Sequence, residues 1–163
     1  MLKARYILLG EDSEDDTFFA RRCFTEAGIP FELERCWNGV ELCAHLERCG
    51  DDLPVAVLLD LKMPLMDGFE TLKWIREHPR FSHLPVIILS SSGMFEDRER
   101  AQKLQCTEYL VKPNTLAELA VILNQLSQRL LATIQSKPGD HSLQATPQPH
   151  QPESTPGTNH PSH

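Results

Sequence analysis

The chain has 163 residues, a length that suits one domain with a real hydrophobic core. Its net charge of −7 argues against a nucleic-acid-binding surface, and no apolar run approaches the roughly 20 residues that a membrane span needs. Five cysteines (Cys23, Cys36, Cys43, Cys49, Cys106), odd in number and never spaced C-x-x-C, read as small core or surface residues of a reducing, cytoplasmic compartment.

Short apolar runs alternate with longer amphipathic stretches. Ile7-Leu8-Leu9-Gly10 predicts a strand over 6–10, entered directly from the N-terminal residues with no room for a signal peptide. Ser13 N-caps a helix over 14–27, with Glu14, Asp15 and Asp16 at its positive end and a stripe of Phe19, Cys23 and Ala27. Gly28 stops that helix, and Pro30 fixes the turn into a strand over 31–36. Asn38-Gly39 turns the chain into a helix over 39–48. A strand over 55–60 precedes a helix over 68–77, which Pro79 ends. Pro85 opens a strand over 85–90, then come a helix over 96–104, a strand over 107–111 and a helix over 115–135. That last helix carries Leu116, Leu119, Leu123, Leu126 and Leu130. The strands at 55–60 and 85–90 are apolar almost throughout, as expected when helices cover both faces of a sheet. Five βα units with right-handed crossovers make an open, doubly wound parallel α/β sheet. Composition shifts at about residue 136. Beyond it lie six prolines and four of the seven histidines, with Leu143 the only larger apolar side chain. A domain over 1–135 and a disordered tail over 136–163 are therefore expected, with no helix-turn-helix or other output domain following.

The chemistry sits where the apolar runs stop. They end in Glu11-Asp12, in Asp60, in Ser90 and, after Tyr109-Leu110-Val111, in Lys112-Pro113. In a parallel sheet these ends lie side by side, where ligands bind at the topological switch point. Clustered carboxylates repel and raise one another's pKa, and a hard dication such as Mg2+ with oxygen ligands resolves the conflict. Glu11, Asp12 and Asp60 supply those oxygens. A carboxylate beside Mg2+ is able to take a phosphoryl group as an acyl phosphate, with Ser90 donating a hydrogen bond and Lys112 a point charge to its oxygens.

This constellation resembles the receiver domain of two-component response regulators over about residues 4–135. The resemblance implies a flavodoxin-like fold with strand order 2-1-3-4-5. It makes Asp60 the phosphoacceptor, and Glu11, Asp12, Asp60 and the backbone carbonyl of Lys62 the metal ligands. It makes Ser90 the switch hydroxyl, Tyr109 the aromatic that turns inward with it, and Lys112 the amine, joined to Pro113 by a typically cis bond. Pro64 and Gly68 fit the turn after the acceptor. Lys62 and Ser92 occupy positions that set phosphoryl lifetime in the family. The acidic run 11–16 and Leu58-Leu59-Asp60-Leu61 look more narrowly like the small regulators paired with bacterial phytochrome-type histidine kinases, often dimers through the fourth helix, fifth strand and fifth helix. Two departures stand out: Gly10 replaces an apolar residue before the acid pair, which is expected to loosen the strand end, and Gln105-Cys106 replaces the usual Gly-Ala.

The expected protein is thus a stand-alone receiver and not an enzyme in the ordinary sense. It accepts phosphate from a sensor histidine kinase and changes shape across 91–130, where Met94 and Phe95 offer a contact patch and a homodimer seam is a second use. A phosphorelay shuttle and a constitutive pseudo-receiver are the rival readings. A haloacid dehalogenase-type phosphatase is disfavoured because Lys62 stands where its second acid belongs, and the eight glycines form no phosphate-cradling loop.

Overall fold

The structure is a computed structural model and describes residues 4–136. The expected tail lies outside the described residues but for Ser136. Ten elements alternate: β1 (Tyr6–Gly10), α1 (Glu14–Glu26), β2 (Glu32–Cys36), α2 (Gly39–Arg48), β3 (Ala56–Leu59), α3 (Gly68–Glu77), β4 (Val86–Ser90), α4 (Phe95–Lys103), β5 (Glu108–Val111) and α5 (Leu116–Gln135). The strands form one parallel sheet in the order β2-β1-β3-β4-β5.

The three inner strands are buried at every position, whereas of the edge strands β2 mixes buried, half-buried and exposed residues and β5 is half-buried throughout. Alternation then sends side chains into two cores. Leu8, Val57, Leu59 and Ile88 pack with Leu42, Leu46, Leu72 and Ile75 on one face. Ile7, Leu9, Leu58, Ile87 and Leu89 pack with Ala20, Phe24, Leu123 and Leu126 on the other. Leu123, Leu126 and Leu130 of the α5 stripe are thus core residues, while Leu116 at its start is 37% exposed. Cys23, Cys36 and Cys43 are buried and Cys49 and Cys106 half-buried, all as free thiols.

Local side-chain caps fix where the helices start above the strand ends. Ser13 accepts from the Asp16 amide, Asn38 from Glu41 and Thr115 from Glu118, and Asp67 and Glu70 form a reciprocal capping box. Each such cap contributes about 1 kcal/mol. Arg76 ties the opposite end of the sheet together, donating to the carbonyls of Gln105 and Leu84 at 2.9 and 2.7 Å.

Two glycine-related expectations resolve differently. Gly10 does not loosen its strand: it keeps register with Cys36 and Leu59, and its carbonyl accepts from the Asp60 amide at 2.9 Å. A Cβ there would meet Leu59 Cδ1 at 2.8 Å and Leu42 Cδ1 at 3.0 Å, so the missing side chain is what lets the core close under the strand end. After α4, Gln105 takes the left-handed conformation (φ 64°) that glycine usually supplies. The Cys106 amide then reaches back to the Ala101 carbonyl, closing the helix as a glycine would.

Candidate functional site

The ladder carries each strand one step past its last paired residue. The Glu11 amide donates to Cys36 O, the Asp60 amide to Gly10 O, and the Lys112 amide to Ser90 O at 2.8 Å. The polar residues that end the apolar runs are thereby brought to one edge of the sheet. Glu11 and Asp60 are only 3% and 7% exposed and Ser90 is fully buried, while Asp12 is exposed. One carboxylate oxygen from each of Glu11, Asp12 and Asp60 lies within 4.8 Å of the others.

Lys112 Nζ faces this cluster. It donates to Glu11 Oε2 and Asp16 Oδ2 at 2.8 Å each, and stands 3.6 Å from Asp60 Oδ2. Asp16 is a member that sequence reasoning left as helix-end charge. Its place in the first turn of the helix that follows the acid pair was a usable signal. The bond before Pro113 is trans, as are all peptide bonds among the described residues, so the cis expectation is corrected. Trans is also the intrinsically favoured form, by roughly 0.5–1 kcal/mol. Lys62 is exposed. Gly68 lies against the backbone of Asp60 and Leu61, and its amide donates to Leu61 O at 2.9 Å. The turn itself folds on the Met66 amide donating to Pro64 O at 2.7 Å.

Ser90 Oγ accepts from the Ser92 amide at 3.2 Å. Ser92 in turn donates through its hydroxyl to Asp97 at 2.5 Å and accepts the Tyr109 hydroxyl on its carbonyl at 2.8 Å. Ser92 thus joins Ser90, Tyr109 and the first turn of α4, and Asp97 had no signal in the sequence. Tyr109 is half-buried with Arg98 over its ring at 5.2 Å. A groove of about 280 Å3 opens beside Lys112 between α1 and α5, lined by Phe19, Leu116 and Leu119 among others.

The model of the response regulator receiver domain matches residues 7–124. The chain belongs to that family. Among curated proteins the receiver is similar to the sensor histidine kinase CheAY of Helicobacter pylori, at 34% identity over 74% of this chain and 15% of that protein. It also resembles the response regulator Rre1 of Synechocystis, at 32% over 77% of this chain and 53% of that one. The chain therefore spans 15% and 53% of the length of these two relatives. Among solved structures it resembles the phosphorylated cyanobacterial phytochrome response regulator RcpA (TM-score 0.74, 27% identity, 80% of this chain and 96% of that). It resembles equally the Mn2+-bound form of response regulator Rcp1 (TM-score 0.70, 29% identity, 79% and 96%). No helix among the described residues is long and apolar enough to cross a membrane.

The electrostatics of the receiver's site fit a divalent cation. Three carboxylates offer hard oxygen donors, and two of them are buried. Burial pushes the Glu11 carboxyl from an ordinary 4.5 up to about 7, against the pull of Lys112. Burial raises Asp60 too, opposed by Lys112 and by the amides of Leu61 and Lys62. Burial alone would lower Lys112, but its bonds to Asp16 and Glu11 outweigh that and raise it.

A folded-state pKa above the unfolded value means that the folded chain binds the Glu11 proton more tightly. That contribution to stability is complete below about pH 4.5 and lost as pH rises through about 7. The loss amounts to about 3 kcal/mol at most. Urea unfolding of the cation-free receiver is expected to show this decline, and millimolar Mg2+ to reverse it on the alkaline side only. A stability flat with pH in the absence of cation would show that Glu11 is already ionised against Lys112.

Proposed function

We propose that the receiver accepts a phosphoryl group from a histidine kinase onto Asp60 in a Mg2+-dependent reaction. The transfer then switches its affinity for a partner or for a second copy of itself. The observation that carries this is the convergence of Glu11, Asp12 and Asp60 with the Lys112 ammonium beside the Asp60 carboxylate. Similarity to phytochrome response regulators supports a kinase of phytochrome type as the donor, and a phosphohistidine as the group attacked. The cytoplasm is the compartment consistent with that partner.

Glu11, Asp12, Asp60 and the Lys62 carbonyl would hold the Mg2+. When bound, it supplies positive charge to the carboxylates and to the oxygens of the transferring group. An Asp60 oxygen attacks phosphorus; the new O–P bond forms as the N–P bond breaks, and the electron pair stays on the imidazole nitrogen. Lys112 lies against the charge developing on the phosphoryl oxygens, and the Ser90 hydroxyl donates to one of them. Lys112 and Asp60 thus act on the phosphoryl group itself, and the receiver is a phosphoacceptor rather than an enzyme of external substrates.

The test of this reading is intact mass after incubation with acetyl phosphate, with and without Mg2+. Mg2+-dependent addition supports it, and no addition under any condition sinks it.

Once Ser90 turns toward the phosphoryl group, its Oγ no longer serves the Ser92 amide, and the bonds from Ser92 to Asp97 and Tyr109 must rearrange. Met94 and Phe95, 62% and 73% exposed beside them, would carry the change to the surface. Ser90→Ala is therefore expected to phosphorylate within about tenfold of the parent rate while losing this response. NMR amide shifts over 92–111 on adding acetyl phosphate are the measurement. Shifts equal to the parent's would exclude Ser90 as the link.

A further inference from the structure

We infer that Arg35, clamped on Trp37, is a positioning residue that sets the cation affinity of the acidic triad. The inference rests on the reading above, that a divalent cation occupies Glu11, Asp12 and Asp60.

Arg35 belongs to β2, the outer strand on that side of the sheet, where an arginine would ordinarily extend into water. Here its Nε donates to the backbone carbonyl of Glu11 at 2.9 Å. Its guanidinium carbon lies 3.5 Å from the centroid of the Trp37 ring. One terminal nitrogen, Nη2, is buried with no hydrogen-bond partner. Burying a charged donor in this way is costly, so the arrangement needs a compensating contact. The indole face provides it, since a guanidinium stacked on tryptophan is attracted by the ring quadrupole. Trp37 is itself held, because its amide donates to Glu41 Oε2 from the first turn of α2 at 2.9 Å.

The carbonyl that Arg35 grips is part of the peptide joining Glu11 to Asp12. The amide of Glu11 is gripped by the same strand, through Cys36 O at 3.1 Å. Both faces of Glu11's backbone are therefore fixed by β2. The Glu11 side chain is independently held by Lys112 and the Ser13 amide at 2.8 and 3.1 Å. The Asp12 side chain is exposed, so the plane of the Glu11–Asp12 peptide is what aims it at the cluster. Cation coordination is sensitive to such aim because every ligand must meet one centre. Arg35 touches neither cation nor phosphoryl group; it acts through the peptide.

The test is calorimetric titration of the full chain with Mg2+ alone, at a temperature where every variant is shown to be folded. Arg35→Ala is expected to weaken Mg2+ binding about tenfold, an effect of the size that loss of a supporting contact produces at metal sites. Arg35→Lys keeps a donor and a charge but not the flat stack, and is expected to recover part of that loss. Trp37→Phe keeps a smaller face and is expected to fall between the parent and Arg35→Ala. Unchanged affinity in Arg35→Ala overturns this inference alone. Weakened affinity that tracks the unfolding midpoint across the three variants, with no recovery by lysine, also overturns it, as a purely structural effect. A parent chain with no Mg2+ affinity overturns the functional reading and this inference with it.

Discussion

Asp60→Asn is expected to take up no phosphoryl group from acetyl phosphate in the presence of Mg2+, and the parent chain to gain the mass of one. Three carboxylates share the site, so the experiment decides among them as well as for or against transfer. Asp12 is exposed, and Glu11 is engaged by Lys112 and the Ser13 amide. Glu11 shares the burial, but its carboxylate is already bonded to Lys112 at 2.8 Å, whereas Asp60 has the amides of Leu61 and Lys62 against its carboxylate and leaves the ammonium at 3.6 Å. The loss is expected to be complete, because an amide is no nucleophile toward phosphorus and removal of a covalent acceptor leaves no partial reaction. The variant is also expected to fold normally. Asparagine has the shape of the protonated acid, and burial already favours that neutral form. Mass addition that survives in Asp60→Asn would move the acceptor to Glu11 or Asp12. An unfolding midpoint well below the parent's would show that the Asp60 charge holds the site together.

Gly68→Ala is expected to be severely damaging, costing about 3 kcal/mol or more in urea unfolding. An ideal Cβ there would collide with the Asp60 carbonyl oxygen and lie 2.7 Å from Leu61 Cα and 3.0 Å from the Asp60 carbonyl carbon. All three are backbone atoms, so no rotamer change relieves the contact. Gly39 is crowded too, by the Met66 carbonyl oxygen at 2.7 Å and by the hydroxyl of buried Thr71, which is bonded to Asp67 O, so Gly39→Ala is expected to be costly as well. The reason for the close approach lies in the loop. The chain leaves β3 at Asp60 and returns at once to start α3, and the Gly68 amide closes the return on Leu61 O. Relief of the clash must push either α3 or the peptide of Asp60. Phosphorylation should therefore slow along with the loss of stability. A cost under about 1 kcal/mol would show that the loop yields and that Gly68 does not hold the acceptor.

The succession of elements was legible because most helix starts have a local cause. Ser13, Asn38, Asp67 and Thr115 cap their helices with their own side chains, and Gly28 takes the left-handed conformation (φ 63°) that ends the first helical segment. Periodicity separated the strands, since those in the middle are apolar almost throughout and those at the edges are not. The acid pair, the lone acid, the hydroxyl and the amine were legible for the same reason: a charge ending an apolar run has no structural excuse. The sequence also suggested that Gly10 would loosen its strand, because a missing side chain reads as freedom. Only the packing of Leu42 and Leu59 across it shows that the side chain is missing to make room.

By itself, then, the sequence determined which residues begin and end each element and which polar groups meet at the ends of the strands, because caps, periodicity and burial act over a few neighbouring residues. The tertiary structure alone decided how those groups are paired. Lys112 divides itself among Glu11, Asp16 and Asp60; Ser92 joins Ser90 to Asp97 and Tyr109; and Arg35 reaches the Glu11 carbonyl. Such pairings depend on distances of a few ångströms between residues far apart in the chain, and on strand register and rotamer, which no local pattern encodes.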